Sequence, residues 1–214
     1  MGNQKGGLMN EGYMDVLRSI ASSEPTPGGG SVAALSLAHA HSLSLMVARL
    51  TLAKEQWAEG HDAAKASIEL SEPALEEAIL LAISDSEAFE SVMSAYRLPK
   101  ETEDEKIQRS EEIRKATIGA ALAPLNTASS AQKLLSNLEK QSASCNPNAL
   151  TDLASASEMA LSAAKIASLN VRINLEYIEG EDVDLLTSKI NTVVEQSIES
   201  ANIVSTTVNK RLEW

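Results

Sequence analysis

The chain has 214 residues, enough to bury a core without staples, and is 43% apolar but only 3% aromatic, so its interior must pack through Ala, Leu, Ile and Val. Against 18 basic side chains stand 30 acidic ones, a net charge of −12 that argues against binding nucleic acid through its phosphates. Cys145 is the single cysteine, which excludes an internal disulfide and leaves no thiolate set for zinc; a soluble protein of the reducing cytoplasm is expected.

Met1 to Asn10 carry a glycine pair and no apolar h-region and read as a disordered leader, so a single helical domain is expected over 11–214. Tyr13, Val16, Leu17 and Ile20 fall at helical spacing and predict a first helix ending near Ser22. Pro25-Thr26-Pro27-Gly28-Gly29-Gly30-Ser31 follows, a stiff entry into a permissive backbone, with Ser31 as the expected N-cap of a second helix to about Gln56. The low-charge run Val32 to Ala53 has the length of a membrane span. His39, His41 and Arg49 make it a poor lipid-facing surface, and a buried helix is expected instead.

After Gly60-His61-Asp62, periodic sequence runs to Ala95 across Pro73, where a kink is expected. Leu98-Pro99 ends it, and Thr102-Glu103-Asp104-Glu105 reads as a capping box opening a helix to about Gln141, kinked at Pro124. Asn146-Pro147-Asn148 breaks the chain before a helix to about Tyr177, and Glu179-Gly180 precedes a closing helix to Leu212. No alternating β pattern occurs. The expected fold is all-α, an up-and-down bundle of about six helices.

Asp85 is the first candidate for chemistry, because helical spacing places it beside Ala78, Leu81, Ala82, Ala88, Phe89 and Val92, the apolar stripe of its helix. Desolvation there would lift its pKa toward neutrality, as a group that both takes and gives a proton requires; an acid paired with Arg or Lys at a helix boundary is the alternative. The glycine turn offers a helix N-terminus suited to an anion or an oxyanion, or is a linker. Asp152, Asn170 and Asn174 interrupt an apolar stripe of one helix. At 1.5 Å per residue Asp152 and Asn170 stand about 27 Å apart, so one subunit cannot bring both to one atom; backbone-bonded asparagines are the alternative. Arg97, Lys100, Lys106 and Arg109 gather positive charge in an acidic chain, either for a carboxylate-bearing ligand or for Glu101, Glu103 and Glu105. His39 and His41 point to different sides of a helix, no H-E-x-x-H occurs, and no metal site is expected.

Taken together, Pro25 to Ala34, Asp85-Ser86-Glu87-Ala88-Phe89, Arg97-Leu98-Pro99-Lys100 with Glu105-Lys106, Thr151-Asp152-Leu153 and Asn170-Val171-Arg172-Ile173-Asn174-Leu175 resemble, in order, motifs of the cyclodeaminase/cyclohydrolase family. The likeness spans about residues 11 to 178. It implies an all-helical homodimer whose folate cleft is lined partly by the partner subunit, with no tightly bound cofactor and a tetrahydrofolate derivative as substrate. Two reactions are implied: 5-formimino-tetrahydrofolate closing to 5,10-methenyl-tetrahydrofolate with loss of ammonia, and the methenyl form adding water to give 10-formyl-tetrahydrofolate. The first is favoured by the motifs; a non-catalytic helical interaction protein is the rival from another class. The resemblance makes Asp85 the catalytic acid/base. It assigns Pro27, Gly28, Gly29, Gly30, Ser31, Asp152, Asn170 and Asn174 to substrate binding, with Arg97 and Lys100 at the glutamate end. Ile83 and Ser162 depart from the pattern, where another acid and a glycine are expected.

Overall fold

The computed structural model describes residues 11–214, and the expected leader 1–10 lies outside them. Six helices account for most of the chain: α1 Glu11–Ile20, α2 Gly29–Leu52, α3 His61–Tyr96, α4 Glu103–Ser144, α5 Leu150–Leu175 and α6 Glu181–Leu212. Two short 3-10 turns, Glu55–Gly60 and Pro147–Ala149, join α2 to α3 and α4 to α5. No strand occurs among the described residues. Short connections force sequential helices to run antiparallel, so the fold is an all-α bundle. Pro73 and Pro124 lie inside α3 and α4, which continue past them.

Helix ends are set by chemistry that can be named. Thr102 Oγ1 accepts from the Glu105 N–H at 3.2 Å while Glu105 Oε2 accepts from the Thr102 N–H at 2.9 Å, the expected capping box. These bonds hold the Glu105 carboxyl below its ordinary pKa. At the other end of α4, Arg211 of α6 donates to the carbonyls of Ser142 and Cys145, both at 2.7 Å, capping a C-terminus that is buried. Arg114 of α4 forks onto Asp182 at 2.7 and 3.0 Å and reaches Glu179 O, fixing the start of α6.

Helix α2 is the axis of the bundle, packing on α3, α4 and α5. Ala33, Ala34, Leu37, Ala40, Val47 and Ala48 of α2 are fully buried, as are Ala156, Ala160, Ala163, Ala164 and Ala167 of α5. Alanine faces let helix backbones approach closely, which replaces the bulk that scarce aromatics would supply. Gly60 marks another close approach, since a Cβ there would overlap the Ser144 carbonyl. By length and composition α2 could cross a membrane, yet most of it is enclosed by the bundle.

Buried polar groups pin these faces in register. Ser44 Oγ donates to Gln141 Oε1 at 3.1 Å and Gln141 Nε2 returns a bond to Ser44 O at 3.0 Å, tying α2 to α4. His41 is fully buried, with Nδ1 3.0 Å from Ser71 Oγ of α3 and no partner for Nε2. Burial pushes its pKa down to about 4.

Candidate active site

The start of α2 and the middle of α3 build the site together. Gly28 is the N-cap of α2, with extended backbone and no side chain to offer, and the first helical bond runs from Val32 N–H to Gly28 O at 3.0 Å. Ser31 is therefore not the N-cap that the local pattern suggests; it lies one turn inside the helix. The helix can begin without a local cap because a distant carboxylate supplies one. Asp85, 54 residues on, turns its carboxyl to the Ser31 backbone N–H and accepts from Ser31 Oγ at 3.0 Å. Of the donors this helix start was expected to offer an anion, the Ser31 N–H is thus already engaged by Asp85.

Ser31 is 1% exposed, and its hydroxyl also lies 3.1 Å from the Ala82 carbonyl and 3.2 Å from Ser86 Oγ. Its side chain holds Asp85 from behind. Gly30 explains how the carboxylate comes so near: a Cβ there would overlap the Asp85 carboxyl group. Asp85 is half-buried, and burial raises its pKa above the ordinary aspartate value while the side-chain and backbone bonds from Ser31 pull the other way; burial wins. No cation among the described residues offsets it.

Asp85 opens on a cavity of about 310 Å³ whose floor is Gly28, Gly29 and Gly30 and whose walls are Phe89 and Val92 of α3, Ala120 of α4, and Asn170, Ile173 and Asn174 of α5. Asp85 is the one ionisable side chain lining it among the described residues. Both asparagines spend their amide nitrogen on backbone, Asn170 on Ile166 O and Asn174 on Ala120 O, each at 2.9 Å. Asn170 also faces Gly29, whose Cβ would stand 3.8 Å from Oδ1. The structural and the functional readings of these residues are thus compatible. A second cavity of about 840 Å³ adjoins at Ala120 and follows α3 through Ala88, Ser91, Ala95 and Leu98.

Other expected residues are not gathered here. Pro27, which follows a cis Thr26–Pro27 bond, does not line the cavity. Asp152 sits in the first turn of the unbroken α5, about 27 Å along it from Asn170. Arg97 and Lys100 are exposed, about 18 Å or more beyond Asp85 at the end of α3, and neither side chain has a partner among the described residues. Of the four cations in that region, Arg109 caps α3 by donating to Tyr96 O at 3.0 Å and Lys106 pairs with Glu103 at 2.7 Å, leaving Arg97 and Lys100. Ile83 is 51% exposed and outside the cavity. Sequence reasoning missed Ser86, whose only signal was its place beside Asp85. No group of three or more His, Cys, Asp or Glu side chains comes together among the described residues.

The sequence model of the formiminotransferase-cyclodeaminase family matches residues 13–192, which include every element of this site. The chain belongs to that family. It is 34% identical to a methenyltetrahydrofolate cyclohydrolase of Methylorubrum extorquens over 170 residues, covering 79% of this chain and 82% of the relative. With the formimidoyltransferase-cyclodeaminase of Gallus gallus the identity is 28% over 98% of this chain, which spans 39% of that longer protein. The crystal structure of a formiminotetrahydrofolate cyclodeaminase from Thermotoga maritima superposes with a TM-score of 0.83 at 26% identity, covering 97% of this chain and 98% of the other. Membership in this family accounts for the all-α architecture, which superposes over nearly the whole of the Thermotoga chain.

Proposed function

We propose that this chain is a folate one-carbon enzyme in which Asp85 moves a proton at the one-carbon bridge between N5 and N10 of tetrahydrofolate, and that it acts as a methenyltetrahydrofolate cyclohydrolase. The observation that carries the proposal is the half-buried Asp85 carboxyl, raised in pKa, turned into a cavity with no other ionisable group. The methenyl bridge carries a delocalised positive charge. A lone carboxylate in an otherwise neutral cavity attracts that charge and stands ready as a base for water. In hydrolysis Asp85 takes a proton from the attacking water as oxygen bonds to the bridge carbon, giving a tetrahedral carbon between the two nitrogens. It then returns the proton to N5 as the C–N5 bond breaks. The new hydroxyl loses its proton to solvent, leaving the formyl group on N10.

Similarity to a cyclohydrolase over 82% of its length favours hydrolysis over the deamination that the motifs suggest. Ring closure with loss of ammonia is the second reading, supported by the full-length likeness to the Thermotoga cyclodeaminase. There the same carboxyl would carry the N10 proton to the departing amine. In either case the glycine turn faces the pterin end, and the groove along α3 leads toward Arg97 and Lys100, which suit the glutamate carboxylates. A homodimer belongs to the same proposal, because Ile173 at the cavity and Leu169 beside it are 58% and 62% exposed, an apolar rim for a partner subunit to cover.

Purified protein given 5,10-methenyl- and 5-formimino-tetrahydrofolate separately tests this, with methenyl absorbance and ammonia followed together. Loss of methenyl absorbance above the uncatalysed rate supports hydrolysis. Appearance of that absorbance with ammonia supports ring closure instead. Turnover of neither substrate overturns the proposal in favour of a non-catalytic interaction protein.

A further inference from the structure

The Ser31 hydroxyl has one proton and faces two oxygens that want it. Ala82 O, at 3.1 Å, can only accept; Asp85 Oδ2, at 3.0 Å, accepts when ionised and donates when protonated. Ser86 Oγ, at 3.2 Å, is able to play either part. All three partners lie on one turn of α3, so α2 presents the hydroxyl and α3 presents everything it can bond. Ser31 is 1% exposed, and water has no room to make up a missing bond.

The geometry points to Ser31 as a positioning residue whose hydroxyl rotates with the charge on Asp85, donating to the ionised carboxylate and, once Asp85 is protonated, accepting from it while donating to Ala82 O. In the first state the Ser86 hydroxyl donates to Ser31 Oγ, so its lone pair is used. In the second, protonated Asp85 donates a hydrogen bond to that oxygen and the Ser31 O–H rotates to donate to the Ala82 carbonyl, otherwise bonded only within its helix. Neither state leaves a buried donor unpaired. A carboxyl that must be base in one step and acid in the next then meets a matched partner in both, without any backbone moving.

Among the described residues, groups able to drive the same change by charge are few. From α2 the carboxyl is faced by Gly30 and Ser31, from α4 by Ala120, and from α5 by Asn170 and Asn174, none of them titratable; Glu87 and Glu90, on α3 itself, do not line the cavity. Charge on Asp85 is therefore answered by hydroxyl rotation and not by a counter-ion.

This inference rests on the proton-transfer reading of Asp85, and its test separates the two. The pKa of the Asp85 carboxyl is read by 13C NMR of aspartate-labelled protein, assigned with Asp85→Asn, beside the pH profile of turnover, in wild type, Ser31→Ala, Ser31→Thr and Ser86→Ala. In Ser31→Ala the carboxyl is expected to titrate at higher pH, with turnover down about 10- to 100-fold, the worth of a hydrogen bond to a charged group, and its pH profile displaced in step. Ser31→Thr, which keeps the hydroxyl, restores both, and Ser86→Ala moves the pKa the same way by less. An Asp85 pKa unmoved in Ser31→Ala, or in Ser86→Ala should the first variant not fold, overturns the switch. So does a moved pKa with the 13C shift of the protonated carboxyl in Ser31→Ala left at its wild-type value, the mark of a hydroxyl that only donates. If the NMR pKa and that shift both move while Asp85→Asn keeps full turnover, the switch stands and the catalytic reading falls.

Discussion

Gly30→Ala tests the site through the backbone that shapes it. The added methyl would occupy the place of the Asp85 carboxyl. The helices cannot part to make room, because Ala33 and Ala34 of α2 and Ala78 of α3 are fully buried against the bundle. The carboxyl must therefore rotate toward the cavity and give up the 3.0 Å bond from Ser31 Oγ. A hydrogen bond to a charged group contributes about 1.5–3 kcal/mol, and the alanine returns up to about 1 kcal/mol by its better helix propensity.

The net cost to folding is then about 0.5–3 kcal/mol, a fall in Tm of roughly 1–12 °C for a chain of this size. Turnover should fall far more, by the ~10²–10⁴-fold that a general acid/base contributes. Thermal melting and methenyl absorbance decay, measured on the same preparation, separate the two effects. Because both act on one carboxyl, Gly30→Ala should cost little more in an Asp85→Asn background, the non-additivity expected of contacting residues. Wild-type turnover in folded Gly30→Ala would refute the reasoning, since it would mean that the carboxyl does its work away from the Ser31 pocket.

Asp85→Asn should lose ~10²–10⁴-fold in turnover and yet melt higher at neutral pH. The folded carboxyl has a raised pKa, so its contribution is fully present at low pH and is lost as pH rises through that value; the stability gap between variant and wild type should widen with pH in thermal melts. His41 acts with the opposite sign. Its pKa falls from 6.5 to about 4 on folding, so the unfolded chain binds the proton first and stability drops by about 3 kcal/mol as pH falls from 6.5 to 4. Urea unfolding of His41→Asn should lack that component. Arg211→Ala leaves the Ser142 and Cys145 carbonyls at the buried end of α4 without their donors and should cost roughly 2–4 kcal/mol in the same assay, with turnover of the folded protein unchanged.

Local chemistry was legible wherever it stayed local. The Thr102–Glu105 box, the break at Asn146-Pro147 and the stripe that sets Asp85 beside the buried Ala78 all depend on neighbours within a few residues, and the structure bears them out. Ser31 shows where this ends. A serine after three glycines reads as an N-cap, but its own N–H, a first-turn donor of α2, is served by a carboxylate 54 residues away, and nothing in the local pattern announces a cap delivered by another helix. Charge clustering left two readings open: Lys106 takes the pairing with Glu103, while Arg109 serves the end of α3, an interaction decided by which helix termini the fold brings near. The asparagines of α5 were visible as polar breaks in an apolar stripe, but Asn174 needed the fold to show that its partner is the Ala120 carbonyl of α4.

The packing of the core and the chemistry of the site trace to one compositional choice. Small residues on α2 let its backbone come within hydrogen-bonding reach of a short aspartate side chain on α3, where leucine or phenylalanine would have held the helices apart. The same closeness removes water from behind the carboxyl, which raises its pKa, and supplies in Ser31 the hydroxyl that keeps either protonation state bonded. A larger residue at position 30 would damage both at once. The scarcity of aromatics is thus a condition of the site as well as of the fold, because the alanine-lined contacts that build the bundle are the contacts that deliver Asp85 to the start of α2.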